Sequence, residues 1–221
     1  MLRTETVDQG TLECLKTLIQ DERLNDFILV GGTALSLQIG HRISIDLDLF
    51  ADKPFDAGKM LEYLESSSRF RLSFQDKNTL KGKMDGIRVD LIMHAYPLVK
   101  PLNVVEGIRL ASLEDIAAMK LNVIAGSGIR SKDFIDIATL SCNLSLKQMI
   151  DAYVLKYAGR NLIMVLKSLD YFEDVNKEEH VKLVNKTYSL NNTEQRIKEM
   201  LQHTGEIFKS SPYTLINKHT Q

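Results

Sequence analysis

Residues 27–50 read FILVGGTALSLQIGHRISIDLDLF, and the fold turns on how this run is parsed. Its first four residues are apolar and short enough for a buried strand. Gly31 and Gly32 then break the chain, and residues 33–39 have the composition of a short helix. Residues 43–50 alternate: Ile43, Ile45, Leu47 and Leu49 fall on one side of an extended strand, Ser44, Asp46, Asp48 and Phe50 on the other. Strand, glycine turn, helix and strand therefore lie within one continuous stretch. Two carboxylates two residues apart emerge from one face of its second strand.

Periodicity on both sides extends the pattern. Leu12, Leu15, Leu18 and Ile19 predict a helix over 9–21, and a second helix is expected over 57–65. Strands are expected over 70–75, 79–84 and 87–94, the last two joined through Asp85-Gly86, a hairpin signal. From 112 the pattern is wholly helical, with Ser112 and Asp115 spaced as a capping box. Helices are expected over 112–125, 132–140, 146–157, 162–172 and 193–208. The fold class is thus α+β: a mixed sheet with flanking helices, then a helical half. The expected domains are 1–110 and 111–221, the second completing the active-site cleft.

The bulk composition excludes several classes. With 44% apolar and 26% charged residues the 221-residue chain reads as an ordinary soluble globular protein. A net charge of −1 gives no global attraction to a polyanion, so a nucleic-acid partner has to be met by a local patch. The scattered lysines and arginines of the helical half give only a weak hint of one. No apolar run is long enough to span a membrane, and the N-terminus has no signal-like apolar core. Cys14 and Cys142 read as buried free thiols of a reducing compartment, so a cytoplasmic location is expected.

Chemistry concentrates in the opening stretch. Asp46 and Asp48 offer the hard oxygen donors that suit Mg²⁺, or Mn²⁺ in its place. Asp90, in IRVDLIM on a later strand, is the candidate third carboxylate of a two-metal arrangement. Gly31 and Gly32 let backbone N–H groups approach phosphate oxygens. Thr33 either caps the following helix, whose N-terminus attracts anions, or touches a phosphate itself. A glycine pair alone is an ordinary turn, and Asp-x-Asp alone is two solvated carboxylates; their combination describes a nucleoside-triphosphate site. Arg42 has two readings, a fork for the triphosphate or a salt bridge orienting Asp46 or Asp48. His41 reads as structural, because no second ligand stands at metal-binding spacing.

Gly-Gly-Thr, an Asp-x-Asp on the next strand and a later strand aspartate resemble the polymerase-β-like nucleotidyltransferase superfamily. More narrowly, GGTALSLQIGHRISIDLDLF is similar to the AbiEii/AbiGii toxins, the toxin half of type IV toxin–antitoxin systems, through His41, Arg42, Ser44, Asp46 and Asp48. Lys120 in LEDIAAMKLNVIAG, the segment Lys132-Asp133-Phe134-Ile135-Asp136 and SLDYFEDV at 168–175 extend the resemblance over residues 27–175. It implies Mg²⁺-dependent transfer of a nucleotide from an NTP to an acceptor hydroxyl, with RNA such as the tRNA acceptor end as acceptor and an antitoxin as partner. It further implies that Asp46, Asp48 and Asp90 hold metal and that Asp90 takes the acceptor's proton. Lys120 would meet the triphosphate, and Asp133 or Asp136 would orient Lys120 or contact base or ribose. Two rival readings stand beside it: transfer to a small hydroxyl compound, as antibiotic-modifying enzymes perform, and a catalytically silent NTP-binding module.

Overall fold

A computed structural model describes residues 1–216; positions 217–221 of the expected helical half lie outside the described residues. The chain divides into two units, Met1–Ser112 and Leu113–Gln221.

The first unit is built on a seven-stranded mixed sheet. In chain order its strands are β1 (Ile28–Val30), β2 (Leu47–Ala51), β3 (Phe70–Asp76), β4 (Thr79–Met84), β5 (Ile87–Met93), β6 (Asn103–Val105) and β7 (Ile108–Leu110). They lie side by side as β3-β4-β5-β2-β1-β7-β6. β2 pairs antiparallel with β1 and parallel with β5, so the strand bearing the aspartates is interior. Its helices are α1 (Gln9–Gln20), α2 (Gly31–Ile39) and α3 (Ala57–Ser67). Leu47, Leu49, Val89, Leu91, Leu80 and Leu110 are fully buried on one face of the sheet. Asp8 caps α1, accepting from Thr11 N at 2.9 Å, and Leu15, Leu18 and Ile19 form its buried stripe.

Three differences from the sequence expectations have local causes. Helix α2 begins at Gly31, not Thr33: with φ at +69°, Gly31 takes the chain from strand directly into helix. Strand β2 begins at Leu47, not Ile43, and Ile45 is 55% exposed. The backbone ahead of β2 is engaged elsewhere, Ser44 N donating to Thr6 O at 2.9 Å. Strands β6 and β7 escaped the sequence reading because each has three residues and their turn is Glu106-Gly107. Both turn residues adopt positive φ, 54° and 79°, as a tight hairpin requires.

The second unit comprises α4 (Leu113–Gly126), α5 (Ser131–Leu140), α6 (Leu146–Lys156), α7 (Leu162–Leu169) and α8 (Leu190–Gln202). α4 packs against α5, α6 and α7, burying Ile116, Ala117, Leu121 and Ile124. α8 starts earlier than expected, because Ser189 accepts from Asn192 N and caps it there. A capping box opens α6, between Ser145 and Gln148. Asp115, in the first turn of α4, is fully buried and meets Lys156 Nζ at 2.9 Å, tying α4 to α6. Cys14 and Cys142 are free thiols, the first buried, with burial pushing its pKa up to about 11, the second half-buried. No helix among the described residues is long and apolar enough to cross a membrane.

A charge left uncompensated in such a core is costly. Lys156→Met is expected to destabilise the helical unit by about 3–5 kcal/mol, while Asp115→Leu/Lys156→Met recovers most of that loss. Urea midpoints of the single and double variants check it.

Candidate active site

The Gly-Gly pair and the aspartate strand meet physically. A Cβ built on Gly31 would stand 2.5 Å from Asp48 Oδ2, so the carboxylate occupies the space that any side chain there would need. A Cβ on Gly32 would run into the Arg42 guanidinium and come within 3.3 Å of Ser44 Oγ. A Cβ at either position would force the facing side chain to move, and at Gly31 the left-handed backbone also favours glycine.

Thr33 completes this clasp. Its hydroxyl donates to the Asp46 carbonyl and lies 2.9 Å from Ser44 Oγ. It does not cap α2, whose N-cap residue, Val30, makes no side-chain hydrogen bond. The N-cap residue itself therefore supplies no side-chain partner to the first-turn amides of this nine-residue helix. Arg42 is 3% exposed and donates to Ile43 O at 3.2 Å. Its guanidinium lies against Gly32. His41 is buried as well, in keeping with a structural residue.

Asp48 and Asp90 are register partners on the adjacent parallel strands β2 and β5. Neighbouring strands lie about 4.8 Å apart, and residues in register project from the same face, so the two carboxylates stand side by side. Val30, the last residue before the glycines, is in register with Asp48 on its other side. Asp46 lies two residues ahead of Asp48, outside the strand. Among the described residues no three His, Cys, Asp or Glu side chains are gathered as a metal-holding group. The Asp90 carboxylate instead meets Lys81 Nζ at 3.3 Å, from the register-paired position on β4. The donor chemistry nevertheless fits a hard divalent cation: adjacent carboxylates on a rigid strand pair, with a third available from the preceding segment. The Lys81 partnership was not foreseen, because it depends on the β4–β5 register.

In the helical unit, Lys120 Nζ on α4 meets Asp133 Oδ1 at 2.6 Å and Asp136 Oδ2 at 2.7 Å, both on α5. All three side chains are buried. Spaced three apart on one helix face, the two aspartates converge on one ammonium. Arg130 Nε stands 3.6 Å from the other Asp133 oxygen. Of the roles implied for Asp133 and Asp136, orienting Lys120 is the one this geometry supports.

Comparison with known proteins agrees with these features. The family model described as "Nucleotidyl transferase AbiEii toxin, Type IV TA system" matches residues 13–210, well beyond the stretch that carried the resemblance. An uncharacterized protein of Aquifex aeolicus is 37% identical over 172 residues, covering 75% of this chain and 83% of its own. The Helicobacter pylori protein JHP933 shares the fold with a TM-score of 0.51 at 18% identity, over 90% of this chain and 93% of that one. A second H. pylori structure, described as a candidate nucleotidyltransferase, gives 0.50 at 18% identity, over 89% and 95%. The chain belongs to the AbiEii family of nucleotidyltransferases, the toxins of type IV toxin–antitoxin systems.

Proposed function

We propose that the chain transfers a nucleotide from an NTP to an acceptor hydroxyl on RNA, such as the tRNA acceptor end, in a Mg²⁺-dependent reaction. It would act in the cytoplasm, as the toxin partner of a cognate antitoxin. One observation carries this reading: Asp48 and Asp90 stand in register on adjacent parallel strands, beside Gly31 and the N-terminus of α2. Asp46, Asp48 and Asp90 would hold the cation, for which Mn²⁺ is a chemical substitute. When bound, it supplies charge neutralisation on the phosphoryl oxygens and eases deprotonation of the attacking hydroxyl.

The chain's own groups have separate tasks. The first-turn amides of α2, to which Val30 gives no side-chain cap, would receive phosphate oxygens, helped by the positive end of the helix. Asp90 accepts the proton of the acceptor hydroxyl, whose oxygen bonds to the α-phosphorus as the bond to pyrophosphate breaks. Pyrophosphate leaves with that electron pair. Thr33 holds Ser44 and the Asp46 carbonyl beside the glycines and Arg42 packs against Gly32, so these three would act as positioning residues. Lys120 is the proposed triphosphate contact of the helical unit, its ammonium fixed by Asp133 and Asp136.

Incubation with labelled NTPs, Mg²⁺ and bulk tRNA tests the reading. Label should pass to RNA, and Asp48→Asn should reduce transfer on the order of 10²–10³-fold while remaining folded. A folded wild-type protein that transfers nothing to any RNA, with every NTP, would sink it. Transfer to small hydroxyl acceptors alone would move the acceptor to that class.

Gly31→Ala tests the clasp. The left-handed backbone costs a non-glycine residue roughly 1–2 kcal/mol, lowering the melting temperature, and the added methyl displaces the Asp48 carboxylate. Transfer should fall further than the stability loss explains; an unchanged rate in the folded variant would remove the clasp's positioning role. For Lys120, the Met variant is expected to weaken NTP binding by about tenfold in calorimetry, a lost charge-assisted contact. If NTP affinity holds while the urea midpoint drops, Lys120 is structural only.

A further inference from the structure

The face of the sheet that carries Asp48 and Asp90 continues across β5, β4 and β3, and register arranges its side chains in two rows. One row runs Asp48, Asp90, Lys81, Phe74, each directly opposite the next. Two residues along the strands, the second row runs Arg88, Lys83, Arg71. A register shift between Leu72 and Phe74 inserts an extra residue, which returns Phe74 and Arg71 to the same face. A pocket of about 310 Å³ lies among Phe74, Lys81, Lys83, Arg88 and Asp90, with Ser73 and Gly82.

The second row is unfavourable for the protein alone. Like charges directly opposite on neighbouring strands repel, and here three stand in line at strand spacing. All three are exposed, and among the described residues none forms an ion pair. The nearby carboxylates have other partners: Asp85 pairs with Arg69 and Asp90 with Lys81. Such a line of unneutralised cations attracts a chain of regularly spaced anions. Phe74, 52% exposed at the end of the carboxylate row, adds an apolar platform of the kind on which nucleic-acid bases stack.

We infer that this exposed face of β3–β4–β5 binds the single-stranded end of the acceptor nucleic acid. Arg88, Lys83 and Arg71 take successive backbone phosphates, Phe74 stacks a base, and the strand's terminal hydroxyl is delivered to Asp90. The inference rests on the reading that the acceptor is RNA, and it adds the surface that holds it. A near-neutral chain needs only this local patch, which lies in the sheet unit and not among the scattered cations of the helical half.

A short fluorescein-labelled oligouridylate, followed by anisotropy over a salt series, tests the surface with full-length wild type and Arg71→Gln/Lys83→Gln/Arg88→Gln. The triple variant should bind the oligonucleotide at least tenfold more weakly at low salt. Its slope of log affinity against log salt should be shallower by about 2, the value for three lost phosphate contacts on a single strand. Phe74→Ala should weaken binding by about tenfold without changing the slope. The melting temperature of the triple variant should hold or rise, because mutual repulsion has been removed, and its NTP affinity by calorimetry should stay within about twofold of wild type. Wild-type affinity and slope in the triple variant would overturn the inference, even where wild-type transfer to RNA proceeds and the functional reading stands. Loss of NTP affinity together with oligonucleotide affinity would also overturn it, assigning the row to the nucleotide. Displacement of the RNA by polyglutamate at equal charge would overturn it in favour of an acidic protein partner. A wild type that neither binds the oligonucleotide nor labels RNA would overturn both, and only that result joins the two failures.

Discussion

The missing Cβ of Gly31 is the constraint on which the sheet unit depends. The chain leaves β1 and enters α2 at a left-handed residue, with the Asp48 carboxylate filling the space above it. One residue later the same thing happens with Arg42 over Gly32. These approaches lock the helix N-terminus to the segment entering β2, and Thr33 closes the lock with its hydroxyl on Asp46 and Ser44. Because β2 is interior, fixing its entry fixes Asp48 against Val30 on one side and Asp90 on the other. Glycine's conformational cost in the unfolded chain is thereby exchanged for placement of a carboxylate beside helix amides.

Much of this was legible in the sequence where local rules act alone. The apolar stripe of α1, the Asp85-Gly86 hairpin and the β4 limits follow from periodicity and turn chemistry, and they recur in the structure at nearly the expected residues. Alternation misled at Ile43 and Ile45, because pattern reports which residues could share a face and not whether a partner strand is present. There the backbone bonds to Thr6 instead, and Ile45 faces outward. The β6–β7 hairpin is too short to show a period. Thr33 reads as a helix cap or a phosphate contact; its hydroxyl partners within the chain lie eleven and thirteen residues on, which local pattern does not report. Lys81 beside Asp90, and the cation row behind it, depend on register between strands, which composition does not encode.

Charge is handled oppositely in the two units. The helical unit takes lysines into its interior and surrounds them: Lys120 with two aspartates, Lys156 with Asp115. Burying such groups recovers little net stability, because desolvation offsets most of the attraction. Their effect is on geometry, since each ammonium accepts few arrangements of its carboxylates and so sets how α4 meets α5 and α6. Asp133 and Asp136 are read as either orienting Lys120 or contacting base or ribose, and each places one carboxylate oxygen on the Lys120 ammonium.

The sheet unit sorts the charges on one face by row, with Arg88, Lys83 and Arg71 exposed. Asp48 beside Asp90 is a repulsive pair, and Arg88 beside Lys83 and Arg71 is a repulsive line. Only Lys81 at 3.3 Å from Asp90 joins the two signs within a row, and at that distance and exposure it offsets part of the repulsion and no more. A sheet selected for stability alone would interleave the signs across neighbouring strands. Segregating them produces one strip that favours cations and an adjacent strip that favours anions, two residues apart on a rigid surface. Transfer to a polyanionic acceptor, as proposed, would call for that adjacency, since a cation-bound triphosphate has to meet the terminal hydroxyl of a strand whose own phosphates need a separate seat. The residual repulsion in each row is a cost to the folded chain that binding would relieve, and on that proposal the acceptor would depend on the same register that places Asp90 beside Asp48.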